Sequence, residues 1–575
     1  FAVGSTVKIF QGQQVLTREV IPSRGFQSSV DYKVLAGLGK GGADSVHIIW
    51  PDRTFTRLSN PQLNRVHVVE QPAGGMQYIS TTASERQQMF KPIEGSFDKH
   101  VEDPFIDFYY ERGLPMMLSH EGPAAAYADV NGDGLADLFV CGAARQPGQL
   151  YLQTATGFSK KTQPAFDQNA DLEEVTALFF DADGDADYDL VVGTGGNRFP
   201  AGSKEYVTLL YINDGKGNFS SKENALPASG VNTACLAAND VDGDGDLDLF
   251  VGSRSVPHNY GLLPPSFLLL NDGRGSFAAA PSNAFKDLGL VTAAVWTDLD
   301  GDQQKELVVA GEWMAPRIFS FKNGAAAEWS TALPGMKGWW KTVVAADLDN
   351  DGDEDLVLGN IGENFYLTPT AKQPVKMFVK DFDGNGSVEK IITRSIDGKD
   401  KPVFLKKELV DQIASLRKQN LKYADYASRS VQELFSKEQM SGMAVKEFTF
   451  PTSVILWNEG NRKFSAQPLP VPLQLSSINA IHCTDINNDG LKDLLLAGNQ
   501  FHFLPQFSQL DASYGHLLLN SGSREFKLVE ASGIDVRGEV KAIVEINTKT
   551  KKQFLFLQNN ERPVLYQLNN TPAKK

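Results

Sequence analysis

Short apolar runs recur along the chain, each opening on an acid and closing on glycine: DLFVCG, DLVVG, DLFVG, ELVVAG, DLVLG and DLLLAG. Runs this short, rich in Val, Leu and Phe and bounded by turn residues, predict buried β-strands rather than helices. A polar loop precedes each run. Beyond the runs come hairpins that turn at Asn-x-Gly: YINDGKGNF (Tyr211–Phe219), LLNDGRGSF (Leu269–Phe277), LWNEGNRKF (Leu456–Phe464) and LLNSGSREF (Leu518–Phe526). Such turns suit tight antiparallel connections. One stretch, about 404–443, instead places Leu409, Ile413 and Leu416 at helical spacing and predicts a helical insert. Its Lys and Arg read as a solvated face. Near the start, alternation in TVKIF, REV, DSVHIIW and RVHVVE predicts a small separate β-domain of about five strands with Gly-rich turns. Trp50-Pro51-Asp52 reads there as a strand-ending turn with Trp50 in the core.

The polar loops share one design, D-x-[DN]-x-[DN]-x-x-x-[DE], seven times over. Their side-chain ligands would be Asp129, Asn131, Asp133 and Asp137; Asp181, Asp183, Asp185 and Asp189; Asp240, Asp242, Asp244 and Asp248; Asp298, Asp300, Asp302 and Glu306. The series continues with Asp347, Asp349, Asp351 and Asp355; Asp381, Asp383, Asn385 and Glu389; and Asp485, Asn487, Asp489 and Asp493. Oxygens at positions 1, 3, 5 and 9, with a backbone carbonyl at 7, suit a hard cation that takes six to eight oxygen ligands, and the expected ion is Ca²⁺. About six or seven structural ions are expected. A lone Asp/Gly loop reads as a solvated turn, but seven in one register between strands do not. The EF-hand differs in ending on a Glu at position 12 between helices. Gly134, Gly245, Gly352, Gly386 and Gly490 occupy position 6, where positive φ is expected. Ala186 and Gln303 stand there in two loops, which predicts strained or weaker sites.

Most loops begin 50–60 residues apart, at 129, 181, 240, 298, 347, 381 and 485. With about four strands per unit, that period marks a β-propeller. A last unit, Val540–Asn560, keeps the strands, has lost the acids and should bind no metal. The gap from 347 to 381 is too short for a blade and the next is far too long, so seven or eight blades fit. Seven follow if the Asp381 hairpin completes the preceding blade. The FIDFYY run (Phe105–Tyr110) is the natural strand to close the ring. The expected fold is all-β: a calcium-binding seven- or eight-bladed propeller over 104–575, a small β-domain over 1–70, and a linker over 71–103.

The formal charge of −15 sits largely in these loops, and seven divalent cations would nearly cancel it. Metal-free loops would repel themselves, so folding and calcium binding should be coupled. Loops of extracellular modules bind Ca²⁺ at about 10⁻⁴–10⁻³ M, which places the chain outside the cell membrane. No apolar run is long enough to span a bilayer. Residue 1 lies just before a strand pattern, so the beginning reads as a processing boundary. Cys141, Cys235 and Cys483, an unclustered odd set in apolar strands, read as core thiols.

On these motifs the loops and strands resemble FG-GAP/VCBS repeats, the calcium-loop blades of integrin-like propellers. The stretch VGSTVKIF, then GFQSS, GLG and DSVHIIWPD, resembles an ASPIC/UnbV domain. DFYYERGLPMMLSHEGPAAAYADVNGDG and DFDGNGSVEKI are similar to segments of large secreted proteins of Bacteroidetes-type bacteria. The resemblance implies a location that is extracellular or on the outer-membrane surface. The expected function is a calcium-stabilised binding or scaffold protein that offers propeller loops to a glycan or a surface protein. Candidate contacts lie in the long connections along one rim: Arg198, Arg254, Tyr260, Trp313, Phe501 and Phe503, cationic and aromatic as binding hot spots often are. The competing reading is that these loops pack on each other. Alternatives are a propeller-based polysaccharide-active enzyme, and a structural accessory subunit of an outer-membrane uptake or transporter complex. The eight His form no HExxH or triad-like pattern, and no catalytic residue is expected. No basic stripe interleaved with aromatics points to nucleic acid.

Overall fold

The strand after six of the seven acidic loops is buried along its whole length, as in Asp189–Thr194, Asp248–Ser255, Glu306–Met314 and Asp355–Gly359. A strand with no polar face must have packing on both sides, and the architecture supplies it. The computed structural model describes residues 2–569 apart from 13, 24, 40, 75–87, 282–283, 323, 330–332, 334, 420–421 and 549–550. The chain forms two compact units, Phe1–Gln87 and Gln88–Lys575.

Among the described residues of the larger unit, seven antiparallel sheets repeat one four-strand order, each starting from an inner strand, and one of them gains a short fifth strand, Gly338–Trp339, beside Glu306–Met314. The inner strands are Ala125–Ala128, Glu174–Phe180, Asn232–Asn239, Leu290–Thr297, Thr342–Ala346, Ile478–Thr484 and Val540–Asn547. Each touches the next, and the last touches the first. The fold is a β-propeller, and these sheets are numbered here as blades 1 to 7. Neighbouring blades bury one another's faces: Phe180 and Leu210 of blade 2 pack on Leu236, Leu249 and Leu269 of blade 3.

Blade 7 takes its outer strand from Phe90–Ile93, which pairs antiparallel with Val564–Leu568. Phe90 is fully buried and meets Phe554 edge-on at 5.6 Å. The ring is therefore closed from within the stretch expected to be a linker, part of which, 75–87, lies outside the described residues. The propeller unit starts at Gln88 rather than at 104. Phe105–Tyr110 does not close the ring. It contains a short 3₁₀ turn at Asp107–Tyr109, where buried Asp107 accepts a hydrogen bond from Ser119 Oγ while Tyr109 and Tyr110 face solvent.

The Asp381 hairpin does not complete blade 5; Val454–Asn458 and Phe464–Pro468 do. The hairpin belongs to an eighth sheet, built from Val375–Lys380, Glu389–Ile396, Lys399–Pro402 and Ala444–Phe448 and inserted between the second and third strands of blade 5. Alternation gives that sheet two apolar faces. Val375, Met377 and Val379 pack on the propeller, whereas Phe378 and Ile391 receive the helical insert through Leu409, Ile413 and Leu416. Among the described residues the helical insert is a run of five short helices between Lys406 and Met440. Gly261, at φ 96°, lets the blade 3 connection approach the inserted sheet, since a Cβ there would lie 2.7 Å from Val379 Cγ2.

The smaller unit has one antiparallel sheet, ordered Gln14–Glu19, Thr6–Gln11, Ser45–Ile49, Phe55–Ser59, over a core of Val7, Ile9 and Ala43. Trp50 is buried and its Nε1–H donates to Thr56 Oγ1 at 2.9 Å. RVHVVE forms no strand, and Val66 and Val68 are exposed. Its alternation has no strand partner among the described residues to pair with.

Candidate metal centres

Each acidic loop is folded by its own carboxylates. Position 1 accepts from the backbone N–H of position 6 in all seven loops, as Gly134→Asp129 and Gly245→Asp240 at 2.8 and 3.1 Å. Position 5 accepts from the N–H of position 7 in every loop. Position 2 is an apolar residue buried in the blade, and its N–H donates to the position 9 carboxylate at 2.7–3.2 Å. Five of the position 9 acids spend their other oxygen on strand three of the same blade, for example Asn271 N–H→Asp248 Oδ1 at 2.9 Å. Position 6 has positive φ throughout, including Ala186 at 71° and Gln303 at 70°. Position 4 has it too, which explains why only Gly or Asn stands there (Gly243, 83°; Asn350, 61°).

These bonds gather acids that would otherwise repel. In five loops a ligand oxygen from each of three acids lies within 4.8 Å of the other two: Asp181/Asp183/Asp189, Asp240/Asp242/Asp248, Asp298/Asp300/Asp302, Asp347/Asp349/Asp351 and Asp381/Asp383/Glu389. Each such cluster could hold a metal ion. In the first and last loops an Asn occupies position 3, and its amide donates within the loop, Asn131 to Asp137 at 3.1 Å and Asn487 to Asp489 at 2.8 Å. The donor set is all oxygen, which fits a hard cation. Burial pushes Asp137, Asp248 and Asp493 up to about 6 and Asp189, Glu306, Asp355 and Glu389 up to about 7, with the other acids of the same loop adding to the effect. Buried oxygens of Asp183, Asp347, Asp349 and Glu389 have no hydrogen-bond partner. A cation would satisfy these oxygens and displace the proton that burial otherwise favours.

The same loops hold the blades to each other. The Asn of each Asn-x-Gly hairpin sends its side-chain amide to the position 2 carbonyl of the preceding blade: Asn213→Val130, Asn271→Ala182, Asn458→Leu299 and Asn520→Leu348, at 2.6–2.9 Å. Gln153 of blade 1 completes the pattern by donating to the Asn547 carbonyl of blade 7 at 3.0 Å. Arg462 and Arg524 add ion pairs across two junctions, to Asp300 at 3.1 Å and Asp349 at 2.8 Å. Sequence reasoning assigned the Asn only to the hairpin turn. Its recurrence six residues before the first residue of the outer strand was the available signal, but the partner carbonyl lies in another repeat.

The expected contact rim is largely interior. Tyr260, Trp313 and Phe503 are buried in one apolar cluster with Trp339, Met377 and Phe448. Arg254 is buried between Glu121 and Glu312, at 2.5 and 2.8 Å. Tyr260 O–H donates to Glu312 and accepts from Trp313 Nε1, both at 2.9 Å. Arg198 and Phe501 are half-buried: Arg198 pairs with Asp103 at 3.2 Å, and the Phe501 N–H donates to Glu539 at 3.1 Å. The physical reason is the cover. Leu114, Met116 and Leu118, together with the inner face of the inserted sheet, occupy this end of the propeller. Buried Glu111, which sequence reasoning passed over, fastens that cover, accepting from Asn197 Nδ2 at 2.8 Å and the Tyr260 N–H at 2.7 Å and pairing with Lys390. Cys141, Cys235 and Cys483 are free thiols within the blades.

Residues 1–75 match the family model described as ASPIC and UnbV, and residues 129–192, 181–251 and 298–358 match that of the FG-GAP-like repeat. The chain thus carries an N-terminal ASPIC/UnbV domain followed by FG-GAP-like repeats. Among curated proteins no similar sequence is found. Among solved structures the chain is similar to one titled "Structure of Dos1 propeller", at 8% identity and a TM-score of 0.35, over 83% of this chain and 96% of that one.

Proposed function

We propose that this chain is a calcium-stabilised binding or scaffold protein of the extracellular or outer-membrane surface, with no catalytic role. The observation that carries the reading is the loop architecture: one hydrogen-bond pattern repeated seven times converges acidic oxygens while leaving several of them buried and unpartnered. Calcium in these loops stiffens the blade junctions, because the position 2 residue of a loop is also the acceptor for the next blade. Sites of this class fill at extracellular calcium, about 10⁻⁴–10⁻³ M and above, which supports the extracellular reading. Among the described residues no helix is long and apolar enough to cross a membrane. The partner is a glycan or a surface protein. With the expected rim covered, contact falls to aromatic side chains that remain exposed, such as Tyr109, Tyr110, Tyr366 and Tyr514, the last two stacked under Arg394 and Arg537.

Elemental analysis of protein dialysed against millimolar Ca²⁺ tests the metal assignment. Six or seven calcium ions per chain are expected, and fewer than two would contradict it. A glycan and surface-protein array, probed with calcium-loaded and EDTA-treated protein, tests the binding role. Partner capture that survives only with calcium supports it, and no capture in either state contradicts it.

A further inference from the structure

In five inner strands the pairing register slips at the same place, between Glu174 and Thr176, Thr233 and Cys235, Val291 and Ala293, Ile478 and Ala480, and Val540 and Ala542. A bulge re-aims the extra residue out of the ladder. Here those residues, Val175, Ala234, Thr292, Asn479 and Lys541, all line one cavity of about 140 Å³ where the inner strands converge. Ala124 and Lys341, each just ahead of an inner strand, supply the two remaining blades. Every blade thus contributes one side chain to a single ring around the propeller axis.

The ring is divided. Blades 1 to 3 offer Ala124, Val175 and Ala234, an apolar arc, and blades 4 to 7 offer Thr292, Lys341, Asn479 and Lys541, a polar one. Donors outnumber their partners on the polar side. Lys341 pairs with Glu312 at 3.0 Å and Lys541 with Glu539 at 2.6 Å, yet an ammonium carries three N–H groups. Arg254, also in the lining, has a buried Nε–H without a hydrogen-bond partner. Two acceptors are likewise unpartnered: Asn479 Oδ1, and His120 Nδ1, whose ring donates from Nε2 to the Asp103 carbonyl at 3.1 Å. Glu121 in the lining is matched by Arg254 and held above the ordinary carboxylate range by burial, so it opposes an anion weakly. Leu290–Thr297 and Val540–Asn547 are only half-buried along their middles.

We infer that the bulge ring is a binding site for a small hydroxycarboxylate. The carboxylate meets Lys341, Lys541 and Arg254, the hydroxyl meets Asn479 Oδ1 or His120 Nδ1, and the carbon skeleton lies on the Ala124–Val175–Ala234 arc. The cavity matches the engineered cavity of about 150 Å³ that admits benzene, room for a ligand of about six or seven heavy atoms. The site is separate from the metal loops, which lie at the other ends of the inner strands, and it requires no macromolecular partner.

Calorimetric titration of calcium-loaded protein with glycerate and lactate tests the site, with glycerol and inorganic phosphate as controls. One saturable site for a hydroxy acid is expected, silent to glycerol and weaker by at least tenfold for phosphate. Ala234→Leu, which fills the apolar arc without touching a charge, should weaken binding at least tenfold, as should Lys541→Met. Absence of saturable binding by both acids, equal binding of either control, or an unchanged affinity in Ala234→Leu would overturn the assignment.

Discussion

Asn458 Nδ2 donates to the carbonyl oxygen of Leu299 at 2.8 Å, joining blade 5 to the acidic loop of blade 4 across the entire inserted segment. The same amide reaches the Glu354 carbonyl at 3.3 Å, and Asn458 N–H donates to Asp355 Oδ1 at 2.8 Å. One buried side chain therefore ties strand three of a blade, its own acidic loop and the loop of its neighbour. Local loop geometry becomes ring stability at this point.

Asn458→Ala removes that tie and leaves two buried carbonyls short of a donor, a loss of about 1–3 kcal/mol. The solvent-exposed hairpin residue Asn461 serves as the control, since Asn461→Gly at φ 52° should change stability by no more than about 0.5 kcal/mol. Urea unfolding in millimolar calcium measures both. Equal midpoints for Asn458→Ala and the parent would show that the inter-blade bonds contribute nothing.

Ala186 and Gln303 hold backbone conformations that glycine adopts freely, at φ 71° and 70°. Ala186→Gly and Gln303→Gly should each relieve about 1 kcal/mol of left-handed strain, offset in part by the unfolded-state entropy of glycine. The reverse change at Gly245, φ 98°, should destabilise. Calcium affinity by competition with a chelating dye reads the effect at each loop. Tighter binding in Ala186→Gly with weaker binding in Gly245→Ala is expected, and the opposite order would contradict the loop account.

Trp313 is 5% exposed, meets Trp339 edge-on at 5.1 Å and donates to Tyr260. Trp313→Ala should cost about 3–5 kcal/mol through cavity formation, and the loss should appear in the calcium-loaded melting curve. A variant with unchanged melting would return this residue to the surface role its sequence context invited.

The repeat itself was legible in the chain because its chemistry is local. Acids at positions 1, 3, 5 and 9 lie within nine residues, and the strained substitutions at Ala186 and Gln303 could be named from the missing glycines. What escaped was non-local. Phe90–Ile93 is too short to show a period, and only its pairing with Val564–Leu568 reveals it as a strand. Val375–Lys380 alternates just as a blade strand does, so nothing in it announced a sheet of its own. Arg254, Tyr260 and Trp313 have the composition of a contact surface, and a cover drawn from 114–118 and 375–448 turns them into core. Asn213 and its counterparts looked like turn residues because the carbonyls they reach belong to other repeats.

Thermal unfolding with and without chelator tests the central claim most directly. The buried, unpartnered oxygens of Asp183, Asp347, Asp349 and Glu389 and the crowding of acids in five of the loops make the metal-free fold costly. A cation that binds only the folded state raises the melting temperature by mass action. EDTA should therefore lower the melting temperature by several degrees, and millimolar Ca²⁺ should restore it while Mg²⁺, which demands near-octahedral geometry and keeps its waters, restores it poorly. Superimposable melting curves in EDTA and in calcium would contradict the account.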